Sequence, residues 1–324
     1  MEHSLDLTYH WAGFSALAVF VIAYAFVMAE EFTHLRKSKP VVLAAGLIWG
    51  MIAIAYSNTP HYEMVEHEIR HSFLEYTELA FFLLVAMTYI NALEERNVFN
   101  SLKSWLIKNQ FSYRQLFWIT GVLAFFLSPL ADNLTTALVL CAVVVAVGSS
   151  SPKFVGLACV NIVVAANAGG AFSPFGDITT LMVWQAGQLD FLQFFALVIP
   201  SVVNYIIPAS IMHFFVSDHK PDVAETSVTI KYGGKTIILL GLLTIVTAVS
   251  FHNFLHLPPV FGMMTGLAYL QLYSFYIKIN VRDIEEQKYD FFENVARVEW
   301  DTLFFFFGVI LSVGGLGFIG YLEY

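Results

Sequence analysis

Charge is scarce in this sequence. Asp, Glu, Lys and Arg make up 13% of its 324 residues, about half the share of an ordinary soluble domain. Basic residues are the rarer kind, 16 against 25 acidic, giving a net charge of −9 and no basic cluster. That balance argues against nucleic acid as a partner. Only two cysteines occur, Cys141 and Cys159, both inside apolar runs and not at a metal-binding spacing. They read as reduced packing residues, which excludes a disulfide scaffold. No Lys or Arg precedes the first apolar run at 11–29, so a secretory signal is excluded and the run reads as a membrane span. Phosphate loops, nucleophile elbows and metalloprotease helices are missing. The expectation is therefore not an enzyme, and no cofactor.

Apolar residues are abundant: 58% of the chain is hydrophobic, and mean hydropathy is +0.68. An all-α polytopic membrane protein follows. Apolar segments fall at about 11–29, 41–57, 74–93, 115–127, 134–148, 154–167, 178–187, 191–216, 236–252, 259–277 and 300–320. The polar stretches 58–73, 94–114, 217–235 and 278–298 read as loops.

Two pairs of short segments, 115–127 with 134–148 and 154–167 with 178–187, are each separated by a related phrase. The first is Ser128-Pro129-Leu130-Ala131-Asp132-Asn133-Leu134-Thr135-Thr136; the second is Ser173-Pro174-Phe175-Gly176-Asp177-Ile178-Thr179-Thr180. Each breaks a helix with Ser-Pro, offers one carboxylate and follows it with two hydroxyls. Hydrocarbon penalises unsatisfied backbone and unpaired charge by several kcal/mol, roughly, so both together mark an ion site.

Lys and Arg collect in cytoplasmic loops, which orients the chain. With 115–148 as a re-entrant hairpin, 154–187 as one unwound crossing and the N-terminus outside, fifteen of the 16 basic residues lie inside and only Arg70 outside. If 115–148 crossed the membrane, seven would lie inside and nine outside. The hairpin is preferred. Leu74–Leu83 also aligns with Val298–Phe307, entering from the opposite side. This predicts inverted-topology repeats, as in secondary transporters. The expected organisation is 1–73, an N-terminal pair of spans and an outer loop; 74–216, a first repeat; 217–298, cytoplasmic linkers and a pair of spans; and 299–324, the start of a second repeat. At this spacing the partner of Asp132 falls near position 356, so the chain reads as C-terminally truncated.

The candidate cation and proton ligands are Asp132, Asn133, Asn167, Asp177, Thr179 and Thr180, with Ser128 and Ser173. Asp132 or Asn133 also fits a plain helix cap, and the Gly-Gly and Pro of 167–180 also fit a packing kink. Neither structural reading accounts for a carboxylate beside two hydroxyls. Na+ at Asp132 and Asp177 would compete with protons for the same oxygens, and that competition suffices for exchange. Glu78, one turn beyond Glu75, is an accessory proton candidate. His71 beside His67 and Glu63, Glu66 and Glu68 is a pH-sensing candidate, with a solvated loop and a divalent metal site as the alternatives.

The two Asp phrases, with Asn167-Ala168-Gly169-Gly170 before the second and Val298–Gly320 near the end, resemble NhaD-type sodium/proton antiporters of the ion transporter superfamily. The resemblance implies a scaffold and a transport domain, efflux of Na+ or Li+ against H+ entry, and a homodimer. It places the chain in the cell inner membrane, or in a plastid envelope if the source is eukaryotic. Its motif positions match Asp132, Asn133, Asn167, Asp177, Thr179 and Thr180. It also implies a second Asp-Asn hairpin beyond residue 324. The alternatives are an anion, carboxylate or arsenite transporter of the same superfamily, and a non-transporting remnant.

Overall fold

The computed structural model describes residues 6–57, 59–109, 111–148, 151–220, 228–280 and 289–322. Arg282 and Lys288, used in orienting the chain, lie outside them. The described residues form α1 (Trp11–Met28), α2 (Glu30–Thr33), α3 (Ser38–Tyr56), α4 (Tyr62–Glu95), α5 (Val98–Lys108), α6 (Tyr113–Ala131), α7 (Asn133–Val147), α8 (Pro152–Gly170) and α9 (Ile178–Gln185). A 3₁₀ turn (Phe191–Leu197) then leads into α10 (Val198–His213), α11 (Gly234–Leu255), α12 (Pro259–Asn280), α13 (Phe291–Ala296) and α14 (Trp300–Phe318). Among the described residues, nine helices are long and apolar enough to cross a membrane. The protein is an all-helical, multi-pass membrane protein.

Several loops read from polar composition are helical. Residues 62–73 extend α4 to 34 residues, because Glu66 with Arg70, and His71 with Glu75, are each paired at the i,i+4 spacing of a helix. The stretch 94–114 holds α5, and 278–298 holds α13, capped by Asp290. Pro129 lies inside α6 and the break comes three residues later, at Asp132. Pro174 does sit within a non-helical stretch, residues 171–177.

Contacts divide the chain into two compact units. One is Met1–Leu84 with Val298–Tyr324, and the other is Val85–Arg297. In the first, α3 and α14 run side by side in the same direction. Ser38 donates to Asp301 at one end, the Trp49 indole donates to the Leu311 carbonyl at 2.8 Å midway, and Tyr56 packs on Phe318 at the other. The approach is close because Gly308 has no side chain. A Cβ there would come within 2.5 Å of the Val41 backbone, a small-residue contact of the kind that holds helices together in lipid.

In the second unit α6 and α8 are also parallel neighbours. Tyr113 packs on Phe154 with ring centroids 4.3 Å apart, and Asn161 donates to the Phe117 carbonyl at 2.9 Å. Gly169 lies so near the Phe125 carbonyl that a Cβ would reach 2.1 Å from its oxygen. That carbonyl is the one Pro129 cannot serve, since proline has no N–H. Gly148, at the end of α7, is pressed on Phe154 and Val155 at the start of α8. The end of α7 thus lies at the level where α6 begins, so α6 and α7 go out and come back. Elsewhere in this unit Tyr89 of α4 donates to the Gly266 carbonyl of α12 at 2.7 Å and accepts from Thr244 of α11 at 2.9 Å. Cys141 and Cys159 are free thiols.

Candidate functional site

Two chain breaks meet between the parallel helices α6 and α8. The first is a single residue. Asp132 has φ 53° and ψ 160°, a region costly for any residue with a Cβ. Its carboxylate accepts the Thr135 N–H and the Thr135 hydroxyl, each at 2.8 Å, and so caps α7. The second break is residues 171–177, closed by Asp177. One oxygen of Asp177 caps α9 by accepting from the Thr179 N–H and hydroxyl, both at 2.8 Å.

Reciprocal bonds splice the breaks together. In an unbroken helix the Asn133 N–H would reach back to the Pro129 carbonyl. Here it donates instead to the Gly176 carbonyl at 3.0 Å, and the Pro129 carbonyl is satisfied by the Ser173 hydroxyl at 3.0 Å. Ser128, fully buried, donates to the Ala166 carbonyl at 2.6 Å. Thr180 donates to the Ser173 and Asp177 carbonyls at 2.9 and 2.8 Å. Gly176 and Gly170 touch through bare backbone, since a Cβ on Gly176 would lie 2.4 Å from the Gly170 Cα.

At the centre stands the side chain of Asn133. Its Nδ2 donates to Asn167 Oδ1 at 3.0 Å and to the second oxygen of Asp177 at 2.6 Å. Both partners are acceptors, which fixes the amide orientation. The NH2 group, carrying partial positive charge, lies between two oxygens of the kind a hard cation takes. Rotating the amide by about half a turn would present Oδ1 instead, converting Asn133 from donor to ligand. Asn167 is held in turn by its own Nδ2, which donates to the Val163 carbonyl at 2.9 Å.

The cluster therefore contains Asn133, Asn167 and Asp177, with Thr179 on Asp177. The hydroxyls of Ser128, Ser173 and Thr180 are turned to backbone carbonyls, and the carboxylate of Asp132 accepts from Thr135. Spacing alone gave no sign that Asn133 is the residue that crosses from one break to the other. Glu78 and His71 lie on α4 in the other unit. Glu78 is half-buried, and His71 Nδ1 is 3.7 Å from Glu75 Oε1 with both side chains more than half exposed. Among the described residues no group of three or more His, Cys, Asp or Glu is placed to hold a metal ion.

Residues 11–324 match the profile of the CitMHS family, described as citrate transporters. The chain belongs to this family. Family membership also agrees with the expectation that the chain is no enzyme. Among curated relatives, the Na+/H+ antiporter NhaD of Vibrio cholerae is 52% identical, over 98% of this chain and 71% of its own length. The protein of the same name from Alkalimonas amylolytica is 52% identical over 98% and 70%. Sodium/proton antiporter 1 of Arabidopsis thaliana is 31% identical over 94% of this chain and 52% of its own length.

Proposed function

We propose that this family member exchanges cytoplasmic Na+ or Li+ for external H+, using the oxygens gathered where α6–α7 and α8–α9 break. The observation that carries the reading is the Asn133 amide held between Asn167 Oδ1 and Asp177. The names of the NhaD relatives, at 52% identity, support the same cargo. On this reading α6–α7 is a re-entrant hairpin and α8–α9 one unwound crossing, within an inverted repeat. Na+ takes the place of the Asn133 NH2 group. Asp177, Asn167, the rotated Asn133 and carbonyls of the break supply its oxygens, and Asp132 lends a second charge. Protons compete for the carboxylates, so binding one cargo expels the other. Transport is electrogenic if two protons enter per Na+. Glu78 and His71 are accessory proton and pH-sensing groups, and the protein works in the inner membrane as a homodimer.

The test is Na+-driven proton movement in everted vesicles, compared with Asp177→Asn and Asp132→Ala. We expect exchange to fall at least about a hundred-fold in Asp177→Asn, the loss anticipated when one charged group of a charge-binding set is removed. Undiminished exchange in both variants would overturn the site. The family description makes a carboxylate anion the competing cargo. An anion, however, would meet the charge of Asp177. Citrate uptake without Na+-dependent proton movement would decide for it.

A further inference from the structure

At the far end of α6 from Asp132, the Trp118 indole N–H donates to His213 Nδ1 on the last residue of α10, at 3.1 Å. Indole nitrogen only donates, so the imidazole nitrogen that faces it must carry a lone pair. An imidazolium has none. Protonating His213 at this nitrogen therefore removes the bond and sets two donors against each other. His213 is half-buried rather than enclosed, so water can deliver the proton, and histidine is the side chain that titrates in the physiological range.

The bond belongs to a larger seam between the start of α6 and the end of α10. Arg114 Nε donates to the Val216 carbonyl at 2.9 Å, Ser112 donates to Asp218 at 2.9 Å, and the Tyr113 N–H donates to the His219 carbonyl at 2.9 Å. Lys153 of α8 lies over the Phe215 ring at 6.0 Å. The charged and titratable groups at this seam are thus Arg114 from α6, Lys153 from α8, and Asp218, His219 and Lys220 beyond α10, with Tyr205 back along α10 against Trp118. Asp218 is already engaged with Ser112.

We propose that His213 is a proton-binding site separate from the ion site, and that it latches α10 to α6 only when neutral. The fourteen residues from Trp118 to Asp132 span about 21 Å of one helix, so the latch acts on the arm that carries the first break. The inference rests on the transport reading for its consequence but not for its chemistry. Loss of the latch in acid lowers exchange below what competition between H+ and Na+ alone would give.

Two measurements on the whole protein test it. The first is the fluorescence difference between wild type and Trp118→Phe, which isolates Trp118, followed from pH 9 to 5. Imidazolium quenches indole, so the difference should show a step between about pH 5 and 8. His213→Asn keeps an acceptor oxygen near the Nδ1 position and does not titrate, so the step should vanish there. The second is the pH profile of exchange. His213→Asn should keep the wild-type maximum and retain more activity than wild type on the acid side of it. Should His213→Asn fail to fold, His213→Gln takes its place. A step that persists without His213, or no step in wild type, overturns the proposal. A step in a wild type that moves no Na+ would instead leave the proton site standing and remove the transport reading.

Discussion

An amide nitrogen placed between two oxygens can be replaced by a cation or by nothing, and the two outcomes have different signatures. Asn133→Asp puts a carboxylate against Asp177 and Asn167 Oδ1, where only a donor fits. Two anions in one site then require a cation or proton between them. We expect Asn133→Asp to bind Na+ more tightly while exchange falls more than about ten-fold, because release becomes the slow step. Na+ binding by calorimetry together with vesicle exchange checks both halves, and weaker binding would remove the amide from the cargo path. Ser173→Ala behaves differently. It leaves the Pro129 carbonyl without its donor, an orphan worth about 1–3 kcal/mol, so thermal stability should drop, and Ser173→Thr should restore it. A stability unchanged by Ser173→Ala would mean that the splice is not held by this hydroxyl. Asp177 and Asn167 were legible as ligand-type residues in apolar sequence. The serines were legible as polar groups needing partners, but a hydroxyl does not announce in sequence whether it faces an ion or a carbonyl.

Helix ends in this protein were set by signals that composition carries well. Pro152 opens α8, Ser112 with Gln115 boxes the start of α6, and Asp177 caps α9. The element missed most clearly is the first third of α4. Its Glu, His and Arg residues look like a solvated loop by polarity, yet their four-residue spacing pairs them along a helix. The site of the first break was also displaced, because Pro129 gives up one bond without ending α6. Gly169 standing against the Phe125 carbonyl, which Pro129 cannot serve, is a contact 44 residues away, beyond any local pattern. At this scale the close contact of Gly176 with Gly170 makes a sharp prediction. Gly176→Ala must push the two breaks apart by an ångström or so, since the added Cβ would sit 2.4 Å from a backbone atom. Exchange should be lost with the helices retained by circular dichroism. Normal exchange would show that the breaks need not touch. Tyr89→Phe, by contrast, removes a hydroxyl bonded to both α11 and α12, and should lower the melting temperature without altering Na+ affinity in the binding assay.

For the molecule as a whole, the scarcity of charge identified a membrane protein, and the distribution of the few basic residues predicts its orientation. The orientation makes a test independent of transport. With Cys141 and Cys159 replaced, single cysteines at the exposed positions Ser57 and His256 should react with an impermeant reagent from outside intact cells, whereas one at Lys220 should react only after lysis. Labelling of Lys220→Cys from outside would reverse the assignment and, with it, the side on which His213 meets protons. The fold class was legible because hydrocarbon leaves so few solutions for the backbone. The joining of the two breaks was not, because it depends on which of two adjacent residues, Asp132 or Asn133, faces across.

The backbone of Asp132 sets stability and activity against each other. A φ of 53° with ψ of 160° costs a residue with a Cβ about 1–3 kcal/mol, and glycine would escape that cost while losing only a few tenths of a kcal/mol as a cap. Asp132→Gly should therefore melt higher than the wild type and carry no ion. A search for hardier variants by heat alone would enrich that substitution, and a search for salt tolerance would discard it. Disagreement between the two selections at a single codon would mark where this chain gives up sturdiness to keep a carboxylate.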